Sequence, residues 1–423
     1  MSEFLTELYR GIPIGALTPV DGISALNLNP ARGNMPLPAL TLDEEKFQAN
    51  VKLMLDYCKN NGLLIAPHAK TPMAPDLAKQ LIAAGAWGIS VANTQQAAVM
   101  LGHGIKRLIL ANEIGGQQSG ERFGTLLAHY PDAECLAFAD SPACIDALAT
   151  SSKVSGKPVA VLLELGAGRA GIRNLSDLQA LADHAQRQSG LISVKGIAAY
   201  EGSAEAATEN LKIEKIRELL KLAICSAGIV KQMFGLDKVI VTAGGSSYFD
   251  LVREAVVQAE LPGLTPILRS GAIFFFDHGT YEQSFRRLRD RVNNSTGEST
   301  PLDTGFSPAL RVWAEVLSNP EPDLYICGMG KRDVSHDIDL PKPLAFYRDG
   351  QALDVDLEHD KFSITQLNDQ HAFLHSTGQA PALRPGDIVE FGISHPCTCI
   401  DKWRLILGVR EGRVVSAYKT YFG

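Results

Sequence analysis

The feature that most constrains this chain is a beat running from about residue 43 to 276. A short aliphatic or β-branched run is followed by a longer stretch with apolar residues at helical spacing, and the unit recurs eight times. The runs fall at 63–65, 88–91, 107–110, 135–138, 159–163, 194–198, 239–241 and 267–276, with helical patterns such as "PDLAKQLIAAG" and "SPACIDALATSS" between them. Runs this short, apolar on both faces and separated by helices, read as parallel strands covered by helices. The α/β class follows, and the count predicts a (β/α)8 barrel over 43–290. A doubly wound open sheet is the alternative that the same alternation permits.

The pattern then changes. "DRVNNSTGESTPLDTG" at 290–305 reads as a linker or long loop. After it come "ALRVWAEVLS", "DLYICGMG", "DIVEFGI" and "KWRLILGVREGRVVSAY", strand after strand, with Glu411-Gly412 marking a hairpin. A β-rich domain is therefore predicted over 306–423, and the segment 1–42 is a candidate to join it. With 45% hydrophobic and 21% charged residues, the 423-residue chain can bury a large core. A net charge of -7 argues against a nucleic-acid surface. No apolar run approaches the roughly 20 residues that span a bilayer, and "MSEFLTELYR" lacks the basic start of a secretory signal. Seven scattered cysteines suit a reducing compartment. The expectation is a cytoplasmic protein acting on a small molecule, without membrane or nucleic-acid partners.

In such a barrel the chemistry gathers at the carboxyl ends of the strands. Lys70, in "APHAKTPMAP" beside His68, follows strand one there; Arg169, in "LELGAGRAGI", follows strand five. Tyr200 and Glu201 follow strand six, and Gly244, Gly245, Ser246 and Ser247, in "VTAGGSS", follow strand seven and open a helical pattern. Free backbone amides, serine hydroxyls and a helix start suit a phosphate, although a diglycine can equally be a plain tight turn. The lysine of a P-loop and the third glycine of a dinucleotide fingerprint are absent. A barrel-mouth lysine together with a phosphate cup points to pyridoxal phosphate, whose aldehyde the amine would hold as a Schiff base.

"PLPALTLDEEKFQANVKLML" leading into "PHAKT", then "VANTQQAAVMLGHGIKRLILANEIGG", resembles the fold-type III pyridoxal-phosphate enzymes. These combine an alanine-racemase-like barrel with a C-terminal β domain. "SHPCTCIDKW" resembles the D-serine dehydratase and D-threonine aldolase branch, and within it the bacterial D-serine deaminase (amino acid deaminase) subgroup. The resemblance implies Lys70 as the Schiff-base lysine, Arg169 and Tyr200 beside the cofactor ring, and Thr242, Gly244, Gly245 and Ser246 around the phosphate. It also implies a D-amino acid substrate and a homodimer whose sites include groups from the partner's β domain. Pro72 and Met73 depart from the family's "PHAKTHK", and Gln96-Ala97 stands in place of a Glu-Ala pair.

His395 and Cys397 raise a second centre. If the segment is extended, their side chains share a face, and imidazole with thiolate favours zinc over magnesium or calcium. Without the family the favoured reading is a buried histidine and two core cysteines, with Cys399 as the nearest third ligand candidate. The resemblance implies a metal, Zn2+ with cysteine as second ligand, held by His395 and Cys397; His371, in "NDQHAFLH", matches a further family element. The implied activity is D-serine dehydration to pyruvate and ammonia. The alternatives are D-threonine or 3-hydroxy-D-aspartate aldolase and a non-catalytic pyridoxal-phosphate carrier.

Overall fold

The computed structural model describes residues 4–296, 305–357, 361–377 and 382–422. Eight parallel strands form one sheet: β1 Leu64–Ile65, β2 Ile89–Val91, β3 Arg107–Glu113, β4 Glu134–Ala139, β5 Val159–Leu165, β6 Ile192–Ala199, β7 Val239–Ala243 and β8 Leu264–Leu268. Neighbours in sequence pair in register around the sheet, and β8 returns to β1. Past β1 the backbone bridges His68 to Ser90, with Ser90 N–H donating to Pro67 O and Ala69 N–H to Ser90 O. These bonds bring β1 against β2 and close the ring. The barrel interior is filled by Ala66, Ile109, Leu136, Phe138, Leu162, Ala198 and Ile267; Leu136 and Phe138, two apart on β4, both point inward, as the two-residue alternation requires.

Capped helices cover the outside. Asp43 accepts from Lys46 N–H at the start of Glu44–Asn60, and Asn93, Ser141 and Asn174 cap later helices in the same way. Two expectations need correction. The stretch 267–276 is not one strand: β8 stops at Leu268 and Ala272–Phe274 forms a 3-10 turn. Gly271 lies against the His68 backbone, where an added Cβ would stand 2.4 Å from His68 O. The aromatic run beyond it leaves the barrel wall, with Phe275 packing on Phe47 and Phe276 on Phe306. The polar stretch expected as a linker is helical as far as Thr296, within Thr280–Thr296; its residues 297–304 lie outside the described residues.

The second unit is a ten-stranded, mostly antiparallel sheet. Ala39–Asp43, from the N-terminal segment, pairs antiparallel with Leu310–Glu321 and parallel with Leu405–Arg410. The sheet is therefore built from both ends of the chain. Glu411 and Gly412, at φ 48° and 75°, form the hairpin turn between Leu405–Arg410 and Arg413–Lys419. Among the described residues no helix is long and apolar enough to cross a membrane.

One buried side chain fastens the barrel to the segment that leads into the sheet. Asn50, 1% exposed on Glu44–Asn60, donates to Phe274 O (3.0 Å) and Ser307 O (2.8 Å) and accepts from Ser307 N–H (2.9 Å). Replacing it with alanine strands those backbone groups away from water. Asn50→Ala is expected to lower stability by about 2–4 kcal/mol, read as a reduced urea midpoint at unchanged m value. A shift under about 0.5 kcal/mol would show that this contact does not join the units.

Candidate active site

A cavity of about 510 Å³ opens at the carboxyl end of the barrel, lined by Lys70, Arg169, Tyr200, Gly245 and Ser246 together with His395 and Cys397 from the second unit. Seven residues picked out in the sequence thus meet in one space. Thr242 and Gly244 do not line it. Thr242 is fully buried, accepts from Arg269 Nη1 (2.8 Å) and donates to Ile267 O. The Gly244 and Gly245 amides are not free for an anion either, because they donate to the two carboxylate oxygens of Glu201, at 2.9 and 2.6 Å. His371 is exposed at a hairpin tip between Ser363–Leu367 and Ala372–His375. Cys399 is fully buried with its thiol toward Asp333 O.

Sequence reasoning missed the loop after β8. Arg269, Ser270, Gly271 and Ala272 all line the cavity. Ser270 Oγ donates to Gly244 O and Gly245 O, both at 3.0 Å, stitching the loops after β7 and β8 together. A serine and a glycine immediately after strand eight are the signal that could have found it, since barrels bind phosphate between the last two strands. The long apolar run assigned to that strand hid the break. Asn112, Thr71 and Tyr281 are further unpredicted lining residues.

The Arg169 loop owes its shape to three glycines. A Cβ at Gly166 would sit 1.7 Å from Ala170 O and one at Gly168 2.0 Å from Ser203 O, while Gly171 holds φ +96°. Asp140 accepts from Gly171 N–H and Arg173 donates to Ala170 O and Gly171 O, fixing the loop so that the Arg169 guanidinium lies 5.0 Å from the Tyr200 ring centroid.

Electrostatics distinguish the cationic groups. Burial lowers Lys70 below the ordinary lysine value; Arg169 and Arg269 lower it further, and Cys397 opposes them. A larger share of neutral amine results at a given pH. His68 is held well below the usual histidine range by burial, then by Lys70, Arg269 and Arg169. It accepts the Lys70 N–H at Nδ1 (3.4 Å). Beneath the cavity Glu164, 3% exposed, is pushed up to about 9 by burial and by sharing a hydrogen bond with Glu113.

His395 and Cys397 meet differently from the sequence expectation. Pro396–Ile400 is a short helix with His395 at its N-cap, so a helical turn rather than strand alternation brings them together. His395 Nδ1 pairs with Asp337 Oδ2 (2.7 Å), and Cys397 Sγ is 3.2 Å from Thr71 Oγ1, one residue beyond Lys70. An imidazole oriented by a carboxylate, beside a thiol, is a donor set that fits a borderline-soft metal ion. The Cys397 thiol and Asp337 raise the proton affinity of His395, and surroundings of that kind favour a cation at the ring. Among the described residues no group of three or more His, Cys, Asp and Glu could hold a metal, so the chain offers two ligands.

For an anionic pyridine aldehyde the fit is equally specific. A lysine amine shares one cavity with Ser246, Gly271 and Ala272, the last at the start of a 3-10 turn.

The alanine racemase N-terminal domain matches residues 42–247, and the serine dehydratase domain matches residues 309–409. A D-threonine aldolase from Arthrobacter sp is 26% identical over 398 residues, covering 92% of this chain and 94% of the relative. The crystal structure of D-threonine aldolase from Filomicrobium marinum superposes with a TM-score of 0.72 at 21% identity, over 92% of this chain and 95% of that one. The D-threo-3-hydroxyaspartate dehydratase of Delftia sp. HT23 gives 0.71 at 19% identity, over 93% and 99%. Variants of a dehydratase of that name were solved at a histidine and at a cysteine two positions further on, the latter in a metal-free form.

The Glu113–Glu164 pair yields a pH prediction. Glu164 binds its proton more tightly folded than unfolded, so its contribution to stability is complete below the unfolded value near 4.5 and is lost as pH rises toward about 9. Glu164→Gln, which keeps the shape without the titration, is expected to gain melting temperature over wild type progressively from pH 5 to pH 9. Parallel profiles would show that the pair holds no extra proton.

Proposed function

We propose an activity for a chain that belongs to the fold-type III pyridoxal-phosphate enzymes, in the branch joining an alanine-racemase barrel to a serine-dehydratase domain. It is a lyase for β-hydroxy D-amino acids, and D-serine, converted to pyruvate and ammonium, is its substrate. One observation carries this: Lys70 and the His395–Cys397 pair open on the same cavity, joined through the Thr71–Cys397 contact.

Pyridoxal phosphate, when bound, supplies an electron sink for the pair of electrons left on Cα. A zinc ion, when bound, supplies a Lewis acid for a departing hydroxyl. The chain's own residues do the rest. Lys70 Nζ would hold the cofactor and would be the base for the α-proton; its lowered basicity suits an amine that must be neutral to act as a base. His395 and Cys397 would hold the metal, with Asp337 keeping the His395 ring in place through Nδ1. Arg169 and Tyr200, with the guanidinium over the tyrosine ring, would stand beside the cofactor. The α-proton goes to Lys70, the β-hydroxyl leaves with the C–O electrons, and the released aminoacrylate hydrolyses to the keto acid and ammonium.

Retro-aldol cleavage is the second option, favoured by the D-threonine aldolase relative. Elimination is supported by the His-x-Cys pair, since the dehydratase relative was altered at a histidine and cysteine with the same spacing. The chain's own second unit supplies His395 and Cys397, so these groups need not come from a partner. Homodimer assembly remains part of this proposal, and sedimentation at micromolar concentration tests it.

Borohydride reduction of the loaded protein is expected to fix the phosphopyridoxyl group on Lys70 in a peptide mass map; an adduct elsewhere overturns the site. With D-serine, D-threonine and L-serine offered in turn, pyruvate and 2-oxobutyrate should form from the D-substrates. Glycine from D-threonine would establish the aldolase instead.

Metal removal tests the second centre. Verified chelation and Cys397→Ala should each reduce pyruvate formation on the order of a thousandfold, several kcal/mol of leaving-group stabilisation. The cofactor's absorbance should persist. Full activity in metal-free protein would return the pair to a packing role.

A further inference from the structure

The sequence motif "YEGS" leaves one acid unaccounted for. Glu201 follows β6, is fully buried, and turns its carboxylate onto the diglycine after β7 rather than into solvent. Its Oε2 accepts from Gly244 N–H at 2.9 Å and its Oε1 from Gly245 N–H at 2.6 Å. Two successive amides on one carboxylate form the grip that an anion-binding turn offers a phosphate. Here an internal anion already holds it. A second, doubly charged anion cannot share those donors, because like charges at hydrogen-bond distance in a buried site repel strongly.

The remainder of the cup is assembled from what Glu201 fixes. Gly244 holds φ +91°, and Ser270 Oγ donates to both Gly244 O and Gly245 O, tying the loop to the one after β8. Ser246 Oγ accepts from Ile273 N–H (3.3 Å), a second tie between the same loops. Ser246, Gly271 and Ala272 then face the cavity. Glu201 is also the leading opposite charge for Arg269, which is buried and lines the same cavity.

We infer that Glu201 is a positioning residue for phosphate: it locks the diglycine turn as an internal anion and thereby moves phosphate recognition onto Ser246, Gly271 and Ala272. The inference rests on the proposal that this cavity takes pyridoxal phosphate. A residue that only stabilised the barrel would affect every ligand alike, whereas a residue that shapes the phosphate cup affects only ligands carrying phosphate.

The experiment compares two aldehydes. Dissociation constants for pyridoxal phosphate and for pyridoxal are measured by absorbance titration of the cofactor-free protein in wild type, Glu201→Gln and Glu201→Asp. Glutamine presents an N–H2 where one amide needs an acceptor, and aspartate is one methylene too short to reach both. Loss of a charged hydrogen bond corresponds to about a tenfold to hundredfold weakening. That loss is expected for pyridoxal phosphate in both variants, with pyridoxal changed less than about twofold. The aspartate variant keeps the charge and serves where the glutamine variant fails to fold. Equal weakening of both aldehydes, or unchanged phosphate preference, overturns the inference while leaving the cofactor assignment intact. Wild-type protein that bound neither aldehyde would overturn the cofactor assignment and this inference with it.

Discussion

A buried guanidinium organises the working end of this barrel. Arg269 follows β8 and is 6% exposed, and burial presses its pKa down while Glu201, then Glu164, pull it back. A charge taken out of water must be compensated by opposite charge and hydrogen bonds or it will not stay charged. Its hydrogen bonds reach the two preceding strands: Nη1 donates to Thr242 Oγ1 on β7 and Nη2 to Ala199 O on β6 (2.7 Å), and its own backbone N–H donates to Gly244 O. The ends of β6, β7 and β8 are thereby fixed relative to one another. Glu201 and Ser270 build on that fixed frame, and so does the stretch of cavity lining formed by Ser246, Gly271 and Ala272.

The second unit depends on different fastenings. Asn50 welds the outer helix to Phe274 and Ser307, and Ala39–Asp43 carries the N-terminal segment into the sheet. The C-terminal segment returns to the loop that carries Lys70: Tyr421 N–H donates to Met73 O at 2.9 Å, where Met73 holds φ +40°. A non-glycine residue in that region needs surrounding contacts to hold it. The departure from the family sequence at Met73 therefore coincides with a backbone position braced by the C-terminal segment.

Much of this was legible in the sequence because the signals are local. Eight apolar runs gave eight strands, and the lysine, arginine and tyrosine that follow strands one, five and six do line one cavity. What escaped depended on contacts between distant segments. Nothing local in "YEGS" shows that Glu201 will reach two amides some 43 and 44 residues away, so the diglycine looked free. The aromatic run through Phe274 to Phe276 carries strand propensity, but Gly271 must pack on the His68 backbone and turns the chain out of the wall. His395 and Cys397 line the cavity through a geometry other than the one expected, because Pro396 starts a helical turn instead of continuing an extended segment.

The charges are arranged in two layers, and the arrangement explains why the cavity suits its proposed ligands. Lys70, Arg169, Arg269 and His395 line it, and no Asp or Glu is among the described lining residues. The acids stand behind: Glu201 on the diglycine, Glu164 with Glu113 under the floor, Asp337 behind His395, and Asp277, which accepts from Gly279 and Tyr281 N–H. Had those carboxylates faced the cavity, they would pair with the cations and repel an anionic cofactor and a substrate carboxylate. Set back by one layer, Glu201 and Glu164 offset the burial of Arg269, and Asp337 that of His395, while the open face carries no carboxylate. Burial raises Asp277 to about 7 and Glu164 to about 9, so part of this back layer carries protons near neutrality. The positive face is therefore sustained without a full complement of buried negative charge, which the interior could not hold at tolerable cost.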